Sequence, residues 1–315
     1  MAKTLNALAT KGEHGSAMMP IIQGVGRAGV EISYLLRGAV FRDALGAAGG
    51  ENVQGEQQQK IDLLSDEIFL EEMRSTGYVC AVGSEEQADL QVVDEYADAD
   101  WIVLVDPLDG SSNLDIDGPV GTIFSIVRRK SRGTTPQESD CLVAGNEVVA
   151  AGYVLYGPST MLVCSVGEGV DGFTWNPNSA RFELSHANMR IPASGGYYSV
   201  NESNADRWLG GVGESLQRMK TETGLGMRYV GSMVADMHRT LLKGGVFLYP
   251  ADETNRTGKL RLLYEAIPMA FLIAQAGGKS MTSADTSVLD VQPEALHQRV
   301  PVYLGSSSAV DSLLG

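Results

Sequence analysis

The ten residues DPLDGSSNLD, Asp106 to Asp115, place three acids, two serines and a glycine directly behind the apolar run WIVLV. An apolar run of that length, rich in Ile and Val, reads as a buried strand, and the Pro and Gly that follow force a turn. The acids therefore stand at a strand end, where the strand fixes their position and the turn frees the side chains to reach a ligand. Further carboxylates occupy what read as helix or strand edges: Glu56 and Asp62, Glu85 and Glu86, and Glu265. Hard divalent cations such as Mg2+ take such oxygen ligands, together with water and substrate phosphate. If the acids converge, a cation has to accompany them, because two bare carboxylates about 4 Å apart repel by roughly 4 kcal/mol at an effective dielectric of 20. Taken singly, each cluster also has a plainer reading: SEE as solvated surface charge, and Asp106-Pro-Leu-Asp109 as a turn whose aspartate caps the next element.

The elements that must position these acids can be read around them. IDLLSDEIFLEEMRSTG carries Ile61, Leu64 and Ile68 at helical spacing and stops at Gly77, which predicts an amphipathic helix containing Asp62. After the acidic turn, VGTIFSIV, VVAAGYVLY and TMLVCSV predict strands, the last two joined at GPS. A Gly-rich, polar stretch around residues 186–196 divides an N-terminal domain, 1–187, from a C-terminal domain, 188–315. Beyond it, GSMVADMHRTLLKGG predicts a helix, VFLYP a strand, and LLYEAIPMAFLIAQAGG a second helix closed by Gly277 and Gly278. Helices alternating with strands imply a layered α/β architecture. Met233, Met237 and His238 read as core filler and not as a metal or haem box.

The whole chain sets bounds on partners. Its 315 residues, 43% of them hydrophobic, suffice for sizeable cores, and no apolar run approaches the roughly 20 residues that span a bilayer. Its N-terminal residues lack the apolar stretch of a secretory signal. A net charge of −15 argues against nucleic-acid and anionic-membrane partners, but not against a phosphorylated small molecule accompanied by divalent cations. Cys80, Cys141 and Cys164 are too few and too scattered for a disulfide framework or a thiolate metal site, which points to a reducing compartment.

DPLDGSS preceded by SEE resembles the lithium-sensitive, Mg2+-dependent sugar and inositol phosphatase superfamily. NVQGEQQQKIDLLS, DPLDGSSNLD, VGTIFSI, VAAGYVLYG, YSVNE, RYVGSMVADMHRTLLKGGVFLYP, GKLRLLYEA and LHQR, in that order, narrow the resemblance to class I fructose-1,6-bisphosphatases from about residue 24 onward. The resemblance implies an α-β-α-β-α sandwich in two domains and hydrolysis of the 1-phosphate of fructose 1,6-bisphosphate. It implies two or more Mg2+ per site, replaceable by Mn2+, held by Glu85, Asp106, Asp109 and Glu265 with help from the Leu108 carbonyl. Asp62 and Glu86 match acids that polarise the attacking water, and Glu56 falls on a loop that closes over the metals. Gly110, Ser111 and Ser112 would receive the reacting phosphate, where the first amides of a helix face an anion, with Arg261 nearby. Asn201, Tyr229, Tyr249 and Lys259 match residues that hold the 6-phosphate, Gly231, Ser232 and Met233 match the sugar contacts, and Arg228 matches a residue donated across a homo-oligomer interface, in a tetramer or a dimer.

Three departures qualify the resemblance. HGSAMMPII and Asp100-Trp101 stand where many members present AMP-binding donors, including a Lys-Tyr pair, so apolar residues and an aspartate that would repel a phosphate replace phosphate ligands, and AMP insensitivity is expected. RGTTPQESDCLVAGNEV has one cysteine and no inserted loop, so thioredoxin control is not expected. Ile267 stands where many members carry Asn or Ala. Sedoheptulose 1,7-bisphosphate, alone or as a second substrate, remains an alternative, as does a catalytically silent sugar-phosphate sensor. The setting expected is gluconeogenesis in the cytoplasm, or the photosynthetic carbon cycle in the chloroplast stroma if a transit peptide has been removed.

Overall fold

The computed structural model describes residues 3–42, 44, 46–51 and 57–315. Helix α1 (Gly15–Arg37) is followed by a hairpin of β1 (Ala47–Glu51) and β2 (Gln57–Gln59) and by α2 (Lys60–Thr76). A large sheet then forms from β3 (Val79–Ser84), β4 (Gln91–Val92), β5 (Trp101–Asp109), β6 (Val120–Arg128), β7 (Val148–Tyr156), β8 (Thr160–Ser165), β9 (Val170–Asn176) and β10 (Arg181–Met189). Its order is β10-β9-β8-β7-β6-β5-β3-β4, antiparallel throughout except for the β3–β5 pair. The predicted strands appear here, but as an antiparallel meander with no α-helix between β6 and β10, and not as the helix–strand alternation expected along the whole chain.

The second sheet has the order β12-β11-β13-β17-β15. It is built from β11 (Tyr197–Ser199), β12 (Gly226–Met227), β13 (Val246–Tyr249), β15 (Lys279–Met281) and β17 (Val302–Gly305). A two-stranded ladder joins β14 (Leu260–Arg261) to β16 (Arg299–Val300), and the helices of this half are α3 (Val212–Thr223), α4 (Met233–Lys243), α5 (Ile267–Gln275) and α6 (Ser307–Leu314).

Three apolar layers fix how these parts stack. Val103, Val105 and Phe124 on one face of the large sheet pack with Ile22 and Ile32 of α1 and Phe69 and Met73 of α2. Ile102, Leu104 and Ile123 on the opposite face pack with Val234 of α4, Ile267 and Phe271 of α5, and Phe247 and Leu304 of the second sheet. Tyr198, Leu248 and Tyr303 on the far face of that sheet meet Leu216 of α3 and Val310 of α6. The molecule is thus an α-β-α-β-α sandwich in two domains. WIVLV is a continuous apolar run because β5 is covered on both faces, which removes the alternation a half-solvated strand would show. Ile267, with no clear reading from sequence, fills the central layer.

Helix α1 has no clear sequence signal, since Pro20 and its glycines lower intrinsic helicity; its stability comes from packing against α2 and the sheet. The helix expected from Leu262 divides into a π turn, Leu262–Ala266, and α5. Pro268 supplies the reason: it has no N–H for the Tyr264 carbonyl and its ring crowds that carbonyl in a regular α turn. Glu265 sits on the wider turn, and single π turns of this kind recur at functional sites.

Candidate active site

The C-terminal end of β5 delivers Asp106 and Asp109 to one point, and the π turn brings Glu265 from the other half of the chain. Oxygens of these three carboxylates lie within 4.8 Å of one another. Glu85 and Glu86 follow the end of the neighbouring parallel strand β3, and the Glu85 amide is tied to the Val105 carbonyl at 3.0 Å. Arg261 reaches Glu85 Oε1 at 2.6 Å with its guanidinium and lies 3.7 Å from Glu265, whose Oε2 also accepts the Arg261 backbone N–H at 2.6 Å. Asp109 is bound into the start of α4: it accepts the Ser232 hydroxyl at 2.6 Å and the Met233 and Val234 amides at 3.1 and 2.8 Å. Gly110 makes that approach feasible, since its φ is +77° and a Cβ there would lie 2.5 Å from the Ser232 Cβ.

Asp62 occupies the third position of α2, where its Oδ2 accepts the Gln59 backbone N–H at 2.9 Å and so caps the helix. Its Oδ1 is buried without a hydrogen-bond partner. Burial raises its pKa to about 6, and the Gln59 amide and, at a looser geometry, the Ser111 hydroxyl offset part of that rise. Burial likewise pushes Glu265 up to about 8, with Glu85 adding to the rise and Arg261 opposing it. Asp106 lies well above the carboxylate range, first from burial and then from Glu85, Asp109 and Glu265. Asp109 rises less, because its three donors favour the charged form. Among the described residues, Arg261 pairs with Glu85 and Glu265, one positive charge against the four buried carboxylates Glu85, Asp106, Asp109 and Glu265, leaving negative charge that protons or a cation must balance. The donor set is all oxygen, partly prepaired and clustered, so the residues fit a hard divalent cation.

These acids line one side of a cavity of about 650 Å3, together with Leu108, Gly110, Ser111 and Ser112. Asn201, Tyr229, Gly231, Ser232, Met233, Tyr249, Lys259 and Arg261 line the rest. Every site residue expected from sequence is therefore gathered here except two. Glu56 lies outside the described residues. Arg228 is exposed and does not line the cavity, donating to the Met227 carbonyl at 2.7 Å with its guanidinium 5.3 Å from the Tyr197 ring centre. Met237 is buried in the central layer and His238 pairs with the Tyr153 hydroxyl at 2.7 Å, in keeping with their reading as interior residues.

The sequence did not point to Asp236, which is fully buried on α4 and lines the cavity. It accepts the Val230 amide at 3.1 and 3.0 Å and the Gly231 amide at 3.1 Å, and pairs with Arg239 at 2.5 Å. It thereby holds the loop between Tyr229 and Ser232. An acid four residues after an N-capping serine, between the core positions Val234 and Met237, was the available signal. Asp100, expected to repel a phosphate, is already neutralised by Arg132 and by Arg128 at 3.6 Å. The repulsion expected there is correspondingly weaker.

Comparison with known proteins agrees with this geometry. The family described as "Fructose-1-6-bisphosphatase, N-terminal domain" matches residues 4–187, and "Fructose-1-6-bisphosphatase, C-terminal domain" matches residues 191–314. A protein of Persephonella marina named fructose-1,6-bisphosphatase class 1 is 49% identical over 280 residues, 89% of this chain and 85% of its own length. One of the same name from Sulfurihydrogenibium sp. is 49% identical over 279 residues, 88% of this chain and 84% of its own. The crystal structure of Leishmania major fructose-1,6-bisphosphatase in holo form superposes with a TM-score of 0.93 at 37% identity, covering 99% of this chain and 98% of that one. The same protein in its T-state gives 0.87 at 35% identity over the same shares. Sequence, fold and the clustered acids converge: the chain is a phosphatase belonging to the class I fructose-1,6-bisphosphatase family.

Proposed function

We propose that this chain hydrolyses the 1-phosphate of fructose 1,6-bisphosphate, giving fructose 6-phosphate and phosphate, with Mg2+ as its cofactor and Mn2+ as a substitute. The observation that carries this reading is the pairing, in one cavity, of buried carboxylates with half-buried amide, hydroxyl and ammonium donors. Glu85, Asp106, Asp109 and Glu265, with the Leu108 carbonyl, would hold the cations. When bound, these ions supply charge neutralisation for the transferring phosphoryl group and lower the pKa of a bound water.

The chain's own residues do the rest. Asp62 Oδ1, buried and without a hydrogen-bond partner, would take the proton of the attacking water, with Glu86 lining the same cavity and Glu56, by the family resemblance, as a third acid. Gly110, Ser111 and Ser112 open a short helical turn toward the reacting phosphate, and Arg261 balances the acids around it. Asn201, Tyr229, Tyr249 and Lys259 hold the second phosphate. Burial pushes the Tyr229 hydroxyl up to about 12, so it remains a donor at neutral pH. The 1–187 half supplies most of the cation acids and the 188–315 half the sugar site with Glu265.

Arg228, exposed and outside its own chain's cavity, fits donation to the site of a second copy in a homo-oligomer. AMP insensitivity rests on the absence of polar phosphate ligands at Ala17, Met18 and Pro20, with Met18 fully buried, more than on the charge of Asp100. Independence from thioredoxin rests on three cysteines that are all free and buried, with burial pushing the Cys141 thiol up to about 12. No described helix is long and apolar enough to cross a membrane, and we place the enzyme in the cytoplasm.

The test is phosphate release from fructose 1,6-bisphosphate and sedoheptulose 1,7-bisphosphate, each with and without AMP. Faster turnover of the fructose substrate, unchanged by micromolar AMP, is expected. Preference for sedoheptulose 1,7-bisphosphate would replace the substrate assignment, inhibition by micromolar AMP would restore a nucleotide site, and no release from either sugar would leave only a sensor.

A further inference from the structure

Asp66 follows Asp62 by one turn of α2 and is 1% exposed. Its Oδ1 accepts the Ser84 hydroxyl at 2.6 Å, and its Oδ2 accepts the Gln87 side-chain amide at 2.5 Å. The Ser84 oxygen in turn accepts the Glu86 backbone N–H at 3.2 Å. Ser84 ends β3, so the two partners of Asp66 flank the dipeptide Glu85–Glu86 on both sides. One helix therefore carries Asp62 and, through Asp66, grips the turn that presents the other two acids. Both grips are neutral donors, and burial raises the Asp66 pKa. A buried carboxylate without a cationic partner is a poor way to fill space, since an apolar side chain of similar size would avoid the desolvation cost.

We propose that Asp66 is a positioning residue for the reaction: it fixes Glu85 and Glu86 relative to Asp62, so that the cation ligand and the two water-polarising acids share one geometry. The proposal rests on the bisphosphatase reading above. It distinguishes this wall of the cavity from the loop held by Asp236, because the hydrogen bonds of Asp66 go to Ser84 and Gln87, on either side of Glu85–Glu86. Loss of the Asp66 grip thus affects turnover and cation affinity while leaving substrate affinity in place.

The experiment compares the full-length wild type with Asp66→Ala, Asp66→Asn and Ser84→Ala. It measures kcat and KM for fructose 1,6-bisphosphate at saturating Mg2+, Mn2+ affinity by calorimetry without substrate, and thermal midpoint. Supporting partners of metal ligands typically contribute about 10- to 100-fold to affinity or activity. Asp66→Ala is therefore expected to lower kcat and Mn2+ affinity at least about tenfold while KM moves less than about twofold. Asp66→Asn keeps an acceptor for Ser84 and is expected to recover most of both. Wild-type kcat and Mn2+ affinity in Asp66→Ala, a rise in KM as large as the fall in kcat, or no recovery in Asp66→Asn would each overturn the proposal. Should Asp66→Ala fail to fold, Ser84→Ala decides: a fall in kcat and Mn2+ affinity at unchanged KM supports the role, and wild-type values overturn it. A wild type that binds Mn2+ but releases no phosphate overturns the bisphosphatase reading itself, and the positioning role with it.

Discussion

The wall of the cavity built by β3, β5 and the π turn and the wall built by the 229–232 loop, β13 and β14 follow opposite electrostatic plans. On the first, Glu85, Asp106, Asp109 and Glu265 are each less than a tenth exposed, and burial raises the pKa of Asp109, lifts Asp106 well above its solution value and pushes Glu265 up to about 8. On the second, Asn201, Tyr229, Tyr249 and Lys259 are half-buried donors that keep contact with water. The acid wall is electrostatically uphill until a cation arrives, and its geometry is fixed in advance by Arg261, Asp66 and the start of α4. The donor wall carries little such strain. Damage to the first should therefore appear in kcat and cation response, and damage to the second in KM.

The largest expected effect lies on the acid wall. Asp109→Asn should lower cation-dependent turnover at least about a thousandfold, since a lost cation ligand forfeits several kcal/mol of charge stabilisation and each 1.36 kcal/mol is tenfold. Circular dichroism should stay native in the same preparation, and near-normal turnover would break the comparison. If Arg228 completes the donor wall of a second copy, Arg228→Ala should raise KM for the bisphosphate at least about tenfold with kcat nearly unchanged, because a hydrogen bond from a charged group contributes about 1.5 to 3 kcal/mol. An unchanged KM would remove Arg228 from every copy's site.

A smaller effect sharpens the comparison through pH. Glu265 has its pKa raised from 4.5 to about 8, and Asp62 from 3.8 to about 6. A raised carboxyl pKa means that the folded state holds its proton more tightly than the unfolded one. Its stabilising contribution is then complete below the unfolded value and is lost as pH rises through the folded one. Chelated protein should lose thermal stability between pH 6 and about 8, and added Mg2+ should raise Tm more at pH 8 than at pH 6. Equal Mg2+ shifts at the two pH values would mean that the acids are already charged and balanced without a cation.

How far the sequence revealed these walls depended on the distance between partners. WIVLV with its acidic turn and the helix around Asp62 were legible because each signal is local: a buried run, a turn pair, apolar residues at helical spacing closed by a glycine. The gathering of Glu265 with Asp106 and Asp109 was read only through family likeness, since 156 residues separate Glu265 from Asp109 and nothing local joins them. Asp66 was invisible as a functional residue because its partners lie 18 and 21 residues away in an adjoining strand and turn. The pairing of Asp100 was hidden for the same reason, as Arg132 stands 32 residues downstream. The π turn escaped because the apolar residues from Leu262 onward read as one continuous helix through Pro268, although the proline imposes a break on the turn before it.

The central claim is that the acid wall works only with a cation. The most direct measurement is phosphate release from fructose 1,6-bisphosphate by chelator-treated protein as Mg2+ is titrated back. The account predicts no release above background without Mg2+, a saturable rise as it is added, and fructose 6-phosphate as the sugar product. Release that proceeds at full rate in the presence of chelator, or a product that keeps the 1-phosphate, would contradict it.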